Sequence, residues 1–272
     1  MAVHFPECEW RPLTIRRQIN AVRSSTLVVE VETDSGKAFI KGCGNPAGDE
    51  SLAFELVGTR LAKMIGLSTP EFAVLRHDFL DLVKFDGASM PFGPVFASKT
   101  VAGSTGGQDT PFLQRLTNPN SIPLLVAFDT WVANFDRCPP RDYLDPTPNW
   151  DNVFFVPDGR GFQLIVFDHT HCFAEGDLAS ALDGNGFRDD ERVFGKFPEF
   201  QPFLDEGSIR KALQSILKVD VREIEKIIAS VPGEWQISPS DRKEWLRQID
   251  ERRGVLEDVL LNDLSAQMRL KV

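Results

Sequence analysis

Apart from one hairpin, the strand-like runs of this sequence lie ahead of residue 103, and everything beyond residue 205 has helical periodicity. "TLVVEVETDSGKAFIK", residues 26 to 41, predicts two strands joined at Asp34-Ser35-Gly36, with Gly36 free to take a positive φ. Lys41 ends the second strand. "SLAFELVGTRLAKMIG" then sets Leu52, Leu56, Leu61 and Ile65 at helical spacing, and Gly66 is a natural stop. "TPEFAVLRHDF" and "PVFASKTVAGSTGG" read as further strands, running into a Gly/Ser/Thr-rich stretch at 103–110 with the composition of a link between lobes.

Beyond that link, 121–134 reads as an apolar helix, and 138–151 carries four prolines that rule out regular structure. A hairpin follows, "NVFFV", "PDGRG" and "FQLIVFD", with Asn152 at its start and Asp168 at the end of its second strand. Ser208 is placed to cap "IRKALQSILK", Asp220 opens "VREIEKIIASV", and Ser238 with Pro239 starts one long amphipathic pattern through Trp245, Leu246, Ile249, Leu256 and Leu260. The expectation is an α+β fold of two lobes: a small β-rich lobe over 1–102 and a mainly helical lobe over 103–272.

Composition narrows the function. A net charge of −10 disfavours non-specific contact with nucleic acid or anionic membrane, because the overall field repels phosphate polymers. The apolar runs, such as "SIPLLVAF", are far shorter than the roughly 20 residues that span a bilayer. Cys8, Cys43, Cys138 and Cys172 form no CxxC pair, and no signal-peptide pattern opens the chain, so a cytoplasmic protein with reduced thiols and no membrane insertion is expected.

Chemistry-bearing residues follow one another in a telling order: Lys41 ending a strand, Glu55 on the next helix, "NFDR" after the apolar helix, then Asn152 and Asp168 bracketing a hairpin. Phosphoryl transfer needs these types. A lysine held by a glutamate neutralises phosphate, carboxylate and amide oxygens hold Mg²⁺, and an aspartate orients the attacking hydroxyl. Mg²⁺ accepts oxygen ligands at about 2.0–2.1 Å and commonly takes only one or two protein carboxylates beside substrate phosphates. Asp136, just past a buried helix, is the candidate for orienting the hydroxyl; Arg137 beside it either steadies that carboxylate or faces transferred phosphate.

The segments "FIKG", "FELVGTRLAKMIGLSTPE", "VANFDR", "WDNVFFV" and "VFDHTHCF" resemble the HipA-like kinase family over about residues 26 to 175. "VPGEW" and "LRQIDERRGVLEDVL" are similar to the tail of its shorter branch, and the catalytic motifs are distantly similar to those of phosphatidylinositol kinases. The resemblance implies a two-lobed, protein-kinase-like fold using ATP and Mg²⁺, with Ser/Thr phosphorylation of a protein for some members. Lys41 would contact the α/β-phosphates, Glu55 would pair with it, Asp136 would be catalytic, and Asn152 and Asp168 would hold Mg²⁺. Arg23, Ser24, Ser25 and Thr26 stand where related chains carry phosphate-covering glycines; Ser24 and Ser25 are the candidate nucleotide contacts there, through backbone N–H groups that can form an anion nest. The proline-rich 138–151 replaces a tight loop and is a candidate substrate-facing insertion. The extra N-terminal subdomain of HipA-type toxins is not expected, nor is a toxin role.

Other readings compete residue by residue. Lys41 alone is an ordinary strand-end lysine, Glu55 alone a solvated helix residue, and Asp136 with Arg137 alone a local ion pair. His169, His171 and Cys172 suggest a transition-metal site, but His4 and His77 supply no second cluster. "AGSTGG" lacks the ending of a P-loop. At the level of the whole chain, the alternatives are a kinase acting on an inositol lipid or small molecule, and a kinase-like scaffold with weak nucleotide binding. The phosphoacceptor, protein or small molecule, is unidentified by the sequence.

Overall fold

The computed structural model describes residues 10–106, 112–143 and 146–270, with side chains up to residue 266. Cys8, His4, positions 107–110 of the Gly-rich link, and Leu144 and Asp145 of the insertion lie outside the described residues.

Five antiparallel strands form the first sheet: β1 (Ile15–Ala21), β2 (Val29–Thr33), β3 (Gly36–Lys41), β4 (Phe72–His77) and β5 (Gly93–Lys99), in the order β1-β2-β3-β5-β4. The β2–β3 hairpin closes with Thr33 opposite Gly36, whose φ of 110° explains the glycine. One face of the sheet, carrying Val29, Val31, Ala38, Ile40, Val95 and Ala97, is covered by Trp10, Leu82 and Met90 to form a small core of its own. β1 is an addition to the sequence reading. Its residues, IRRQINA, alternate poorly because only Ile15 is buried and the strand lies at a sheet edge.

Helix α1 (Glu50–Met64) connects β3 to β4. Eleven of its fifteen residues are buried, so it has no solvent face. Its apolar residues join a large core that continues through the C-terminal helices. Gly66, at a φ of 97°, ends the turn, and the Leu67 N–H bonds back to the Ala62 carbonyl at 3.0 Å.

The chain leaves the first sheet at Lys99, and β6 (Ser104–Thr105) pairs with β7 (Val153–Asp158), itself paired with β8 (Gly161–Val166). Between them lies α2 (Ser121–Val132), apolar and buried at eleven of twelve positions, followed by the irregular insertion and a 3-10 turn at Trp150–Asn152. The remaining helices are α3 (Leu178–Leu182), α4 (Glu206–Leu217), α5 (Val221–Ala229), α6 (Pro239–Arg252) and α7 (Leu256–Leu270). Two details differ from the sequence reading. Asp205 caps α4, with Ser208 as the reciprocal partner of a capping box. The long amphipathic pattern is two helices broken at 253–255, where Arg253 caps α6 and donates to the Val219 carbonyl instead of continuing one rod. Asp220 and Ser238 cap α5 and α6 as read.

Candidate active site

Three chain reversals carry the candidate residues. α2 ends at Ala133, held left-handed at a φ of 47°, which turns the chain sharply into Asn134. Asn134 is fully buried and organises the loop. Its Oδ1 accepts from the Asp136 and Arg137 N–H groups at 3.2 and 3.3 Å, and its Nδ2 donates to Asp129 Oδ1 at 3.2 Å. Asp136 is thereby presented at the edge of the loop. Asn152 Nδ2 donates to Asp136 Oδ2 at 2.5 Å, and Asn149 Nδ2 donates to the same oxygen at 3.2 Å.

Arg137 requires a correction. It is fully buried, donates to the buried Asp129 carboxylate, and reaches the Phe167 carbonyl at 2.8 Å and the Asn152 carbonyl at 3.3 Å. It neither pairs with Asp136 nor faces a substrate. It positions the Asn134–Arg137 loop against both ends of the β7–β8 hairpin, because a guanidinium has enough donors to bridge three segments at once.

The second reversal follows β8. Asp168 lies two residues past the strand end, in the left-handed region at a φ of 59°, a conformation that an L-aspartate adopts at a cost of order 1 kcal/mol or more. Its Oδ1 accepts from Lys41 Nζ at 2.8 Å. Lys41, at the end of β3, also donates to Glu55 Oε2 at 2.6 Å and Thr170 Oγ1 at 2.8 Å. Contrary to a solvated helix position, Glu55 is 2% exposed. Its carboxylate accepts further from the Thr170 hydroxyl at 2.8 Å and from the His169 N–H at 3.2 Å.

The charges in this cluster are mutually sustained. Burial, the largest single influence, would push Glu55 and Asp168 up, but the Lys41 charge together with hydrogen bonds from Lys41, from His169 to Glu55 and from Thr170 to Asp168 outweighs it, and both carboxyls lie below their ordinary values. Burial likewise pulls Lys41 down, and the charges of Asp168 and Glu55 outweigh it, so its pKa is raised. The ammonium and both carboxylates are therefore ionised at neutral pH. His169 moves the other way: burial lowers its pKa and leaves it neutral, with Nδ1 3.1 Å from the Thr59 hydroxyl and Phe128 edge-on to its ring.

The third reversal is the β1–β2 loop. Ser24 closes it, its hydroxyl accepting from the Val28 N–H at 3.1 Å and its carbonyl from Leu27 at 3.3 Å, while Ser25 is exposed. Thus Ser24 shapes the candidate phosphate loop and Ser25 is open to solvent.

The donor set suits a magnesium ion. Asn152 spends its amide nitrogen on Asp136 and Asp168 one carboxylate oxygen on Lys41, leaving the Asn152 oxygen and the second Asp168 oxygen as hard ligands of the kind Mg²⁺ takes. Among the described residues no three His, Cys, Asp or Glu side chains converge, so protein ligands alone form no cage. His169 meets Thr59 through Nδ1 alone, its Nε2 being buried without a hydrogen-bond partner among the described residues, and Cys172 is fully buried, where burial pushes its thiol well up and away from the thiolate a soft metal takes. Cys138 is similarly pushed up to about 12 by burial, and an adjacent arginine has not activated it.

A sequence profile described as HipA-like kinase matches residues 15–263. The chain belongs to the HipA-like kinase family. Among solved structures, the HipA-like chain is similar to the Helicobacter pylori proinflammatory kinase CtkA, with a TM-score of 0.61 at 14% identity over 94% of this chain and 97% of that one. At that identity the likeness speaks for the fold: a two-lobed kinase-like architecture. A comparison with curated proteins finds no match. No helix among the described residues is long and apolar enough to cross a membrane.

Thr170 and Thr59 escaped the sequence reading as parts of the site. A threonine two places after an aspartate carries no signal of its own, and only the folded approach of α1 reveals what its hydroxyl meets.

Proposed function

We propose that this HipA-like kinase is an ATP- and Mg²⁺-dependent Ser/Thr protein kinase acting in the cytoplasm. The observation that carries the reading is the pairing of Lys41 with both Glu55 and Asp168 in a cleft whose catalytic loop presents Asp136 beside Asn152. Lys41 would bind the phosphates of ATP, steadied by Glu55. Asp136 would accept a hydrogen bond from the acceptor hydroxyl, align its oxygen on the γ-phosphorus, and take its proton as the new P–O bond forms and the bond to ADP breaks. Asn152 and Asp168 would hold Mg²⁺, which supplies charge neutralisation on the phosphates.

A polypeptide acceptor is supported by the surroundings of the loop. A groove of about 690 Å³ lies between Pro139–Asp142, which follow that loop in the chain, the segment Asp189–Lys196 and α7; Asp136 and Asn152 are not among the residues that line it. Its lining joins Val193, Val255 and Val259 to charges of both signs, Asp142 and Asp258 with Arg141 and Arg192, a mixed surface suited to side chains of a protein. The free thiols of Cys43, Cys138 and Cys172 agree with a reducing compartment.

Radiolabelled ATP offered with Mg²⁺ to protein, lipid and metabolite pools tests the proposal. Label is expected on serine or threonine of protein, and is expected to vanish in Asp136→Ala and Asp168→Ala while circular dichroism and the melting temperature show both variants folded. Transfer persisting in either variant removes the assignment. Label only in lipid or metabolites replaces the acceptor, and no calorimetric heat at millimolar nucleotide points to a binding scaffold.

A further inference from the structure

The three N–H bonds of the Lys41 ammonium meet three acceptors: Glu55, Asp168 and Thr170. The first two belong to the phosphate-transfer scheme already described; Thr170 does not. Its hydroxyl is both acceptor and donor, receiving from Lys41 and giving to Glu55 Oε2, each at 2.8 Å, and the residue is 3% exposed. Lys41, Glu55 and Thr170 thus close a triangle in which each hydrogen bond polarises the next, in surroundings where water cannot substitute for a missing partner.

The triangle has a specific consequence once nucleotide enters. Asp168, the acceptor of the ammonium that lies outside the triangle, is shared with the metal site, so its bond to Lys41 is the one that ligand binding competes for. Two anchors then remain to fix the ammonium, Glu55 and Thr170. Glu55 is itself gripped on both oxygens from the Asp168 loop, by the Thr170 hydroxyl on Oε2 and the His169 N–H on Oε1. The loop that carries the metal aspartate therefore also sets the position of the phosphate lysine.

We propose that Thr170 is a positioning residue for Lys41: its hydroxyl holds the ammonium against Glu55 so that nucleotide phosphate finds it in place. This rests on the kinase reading of the site, and the test separates the two. Thr170→Val keeps the shape and removes the hydroxyl; Thr170→Ser keeps the hydroxyl and removes a methyl. Binding of trinitrophenyl-ATP in EDTA is measured alongside kcat and KM for ATP with Mg²⁺. T170V is expected to lower metal-free nucleotide affinity and kcat by about tenfold each, the scale of a lost hydrogen bond to a charged group, while T170S stays within about twofold of the wild type. A packing role predicts the reverse order, with T170S worse than T170V. That order, or T170V equal to the wild type, overturns the proposal. Should T170V not fold, T170A against T170S gives the same contrast, hydroxyl absent or present with the methyl missing from both. If the wild type turns over no ATP, the kinase reading fails, and the metal-free binding series still decides the role of Thr170.

Discussion

Asp129 and Arg137 are both wholly buried, and their pairing shapes the catalytic loop from beneath. The carboxylate is held in tension. Burial raises its pKa from 3.8 to about 6, with Arg137 pulling the other way, and its Oδ2 has no hydrogen-bond partner among the described residues. A group whose folded pKa is raised takes up a proton on folding; its contribution is complete below about pH 4 and is lost as pH rises through 6. Asp129→Asn cannot ionise. Its stability relative to the wild type should therefore rise between pH 4 and pH 7, read as a growing difference in urea midpoint; a difference independent of pH would show that the carboxyl is unshifted. Gly195, at a φ of 70°, lies so close that a Cβ there would stand 2.3 Å from Asp129 Oδ2, which explains why glycine occupies that position. Residues of this kind mark the limit of the sequence. Lys41, Glu55, Asp136, Asn152 and Asp168 stand out in the sequence because their order matches what phosphate chemistry asks, and the fold brings Lys41 to Glu55 and Asp168, and Asn152 to Asp136. The work of Arg137 and Thr170 does not stand out there, since a charge next to an aspartate and a threonine in a loop mean nothing until burial and approach determine their partners.

At the level of elements, α1 shows what periodicity conveys and what it omits. Leu52, Leu56, Leu61 and Ile65 announce the helix, yet the stripe implies an opposite face in water, whereas Glu55, Gly58 and Thr59 are buried against the Asp168 loop. Gly58 is the contact point. A Cβ there would lie 2.6 Å from His169 Cβ. Gly58→Ala would ordinarily strengthen a helix by about 1 kcal/mol. Here the melting temperature should fall, and kinase turnover should fall with it as α1 is pushed off Lys41; a raised melting temperature with full turnover would contradict the seat described for His169. β1 and the α6–α7 break were illegible for opposite reasons. β1 lacks the apolar alternation of a covered strand, and the break lacks a proline, ending α6 through backbone bonds from Arg253 and Gly254 to the preceding turn.

Across the whole molecule, the large core runs without interruption from Phe72 and Phe96 of the first sheet through α1 to Ile224 of α5 and Trp245 of α6. Buried side chains of this size contribute about 1.5–3 kcal/mol each, and here they are shared between lobes and not divided. Trp235 reinforces the joint by donating from Nε1 to the Pro94 carbonyl at 3.1 Å. The two lobes should consequently melt together. A single calorimetric transition coinciding with the loss of far-ultraviolet dichroism is expected, and two resolved transitions would mean the joint is weaker than its packing implies.

The proline-rich insertion has a consequence at the same scale. The Asn149 N–H bonds to the Arg137 carbonyl at 2.8 Å, and its side chain reaches Asp136, so the segment leaves and rejoins the catalytic loop at one place. A loop pinched shut at its base transmits little of what happens at its tip, and doubling its length adds only about 0.6 kcal/mol of closure entropy. A substitution at its exposed residues, past the buried Cys138, Pro139 and Pro140, therefore changes what the surface offers a partner and leaves the base of the loop as it was.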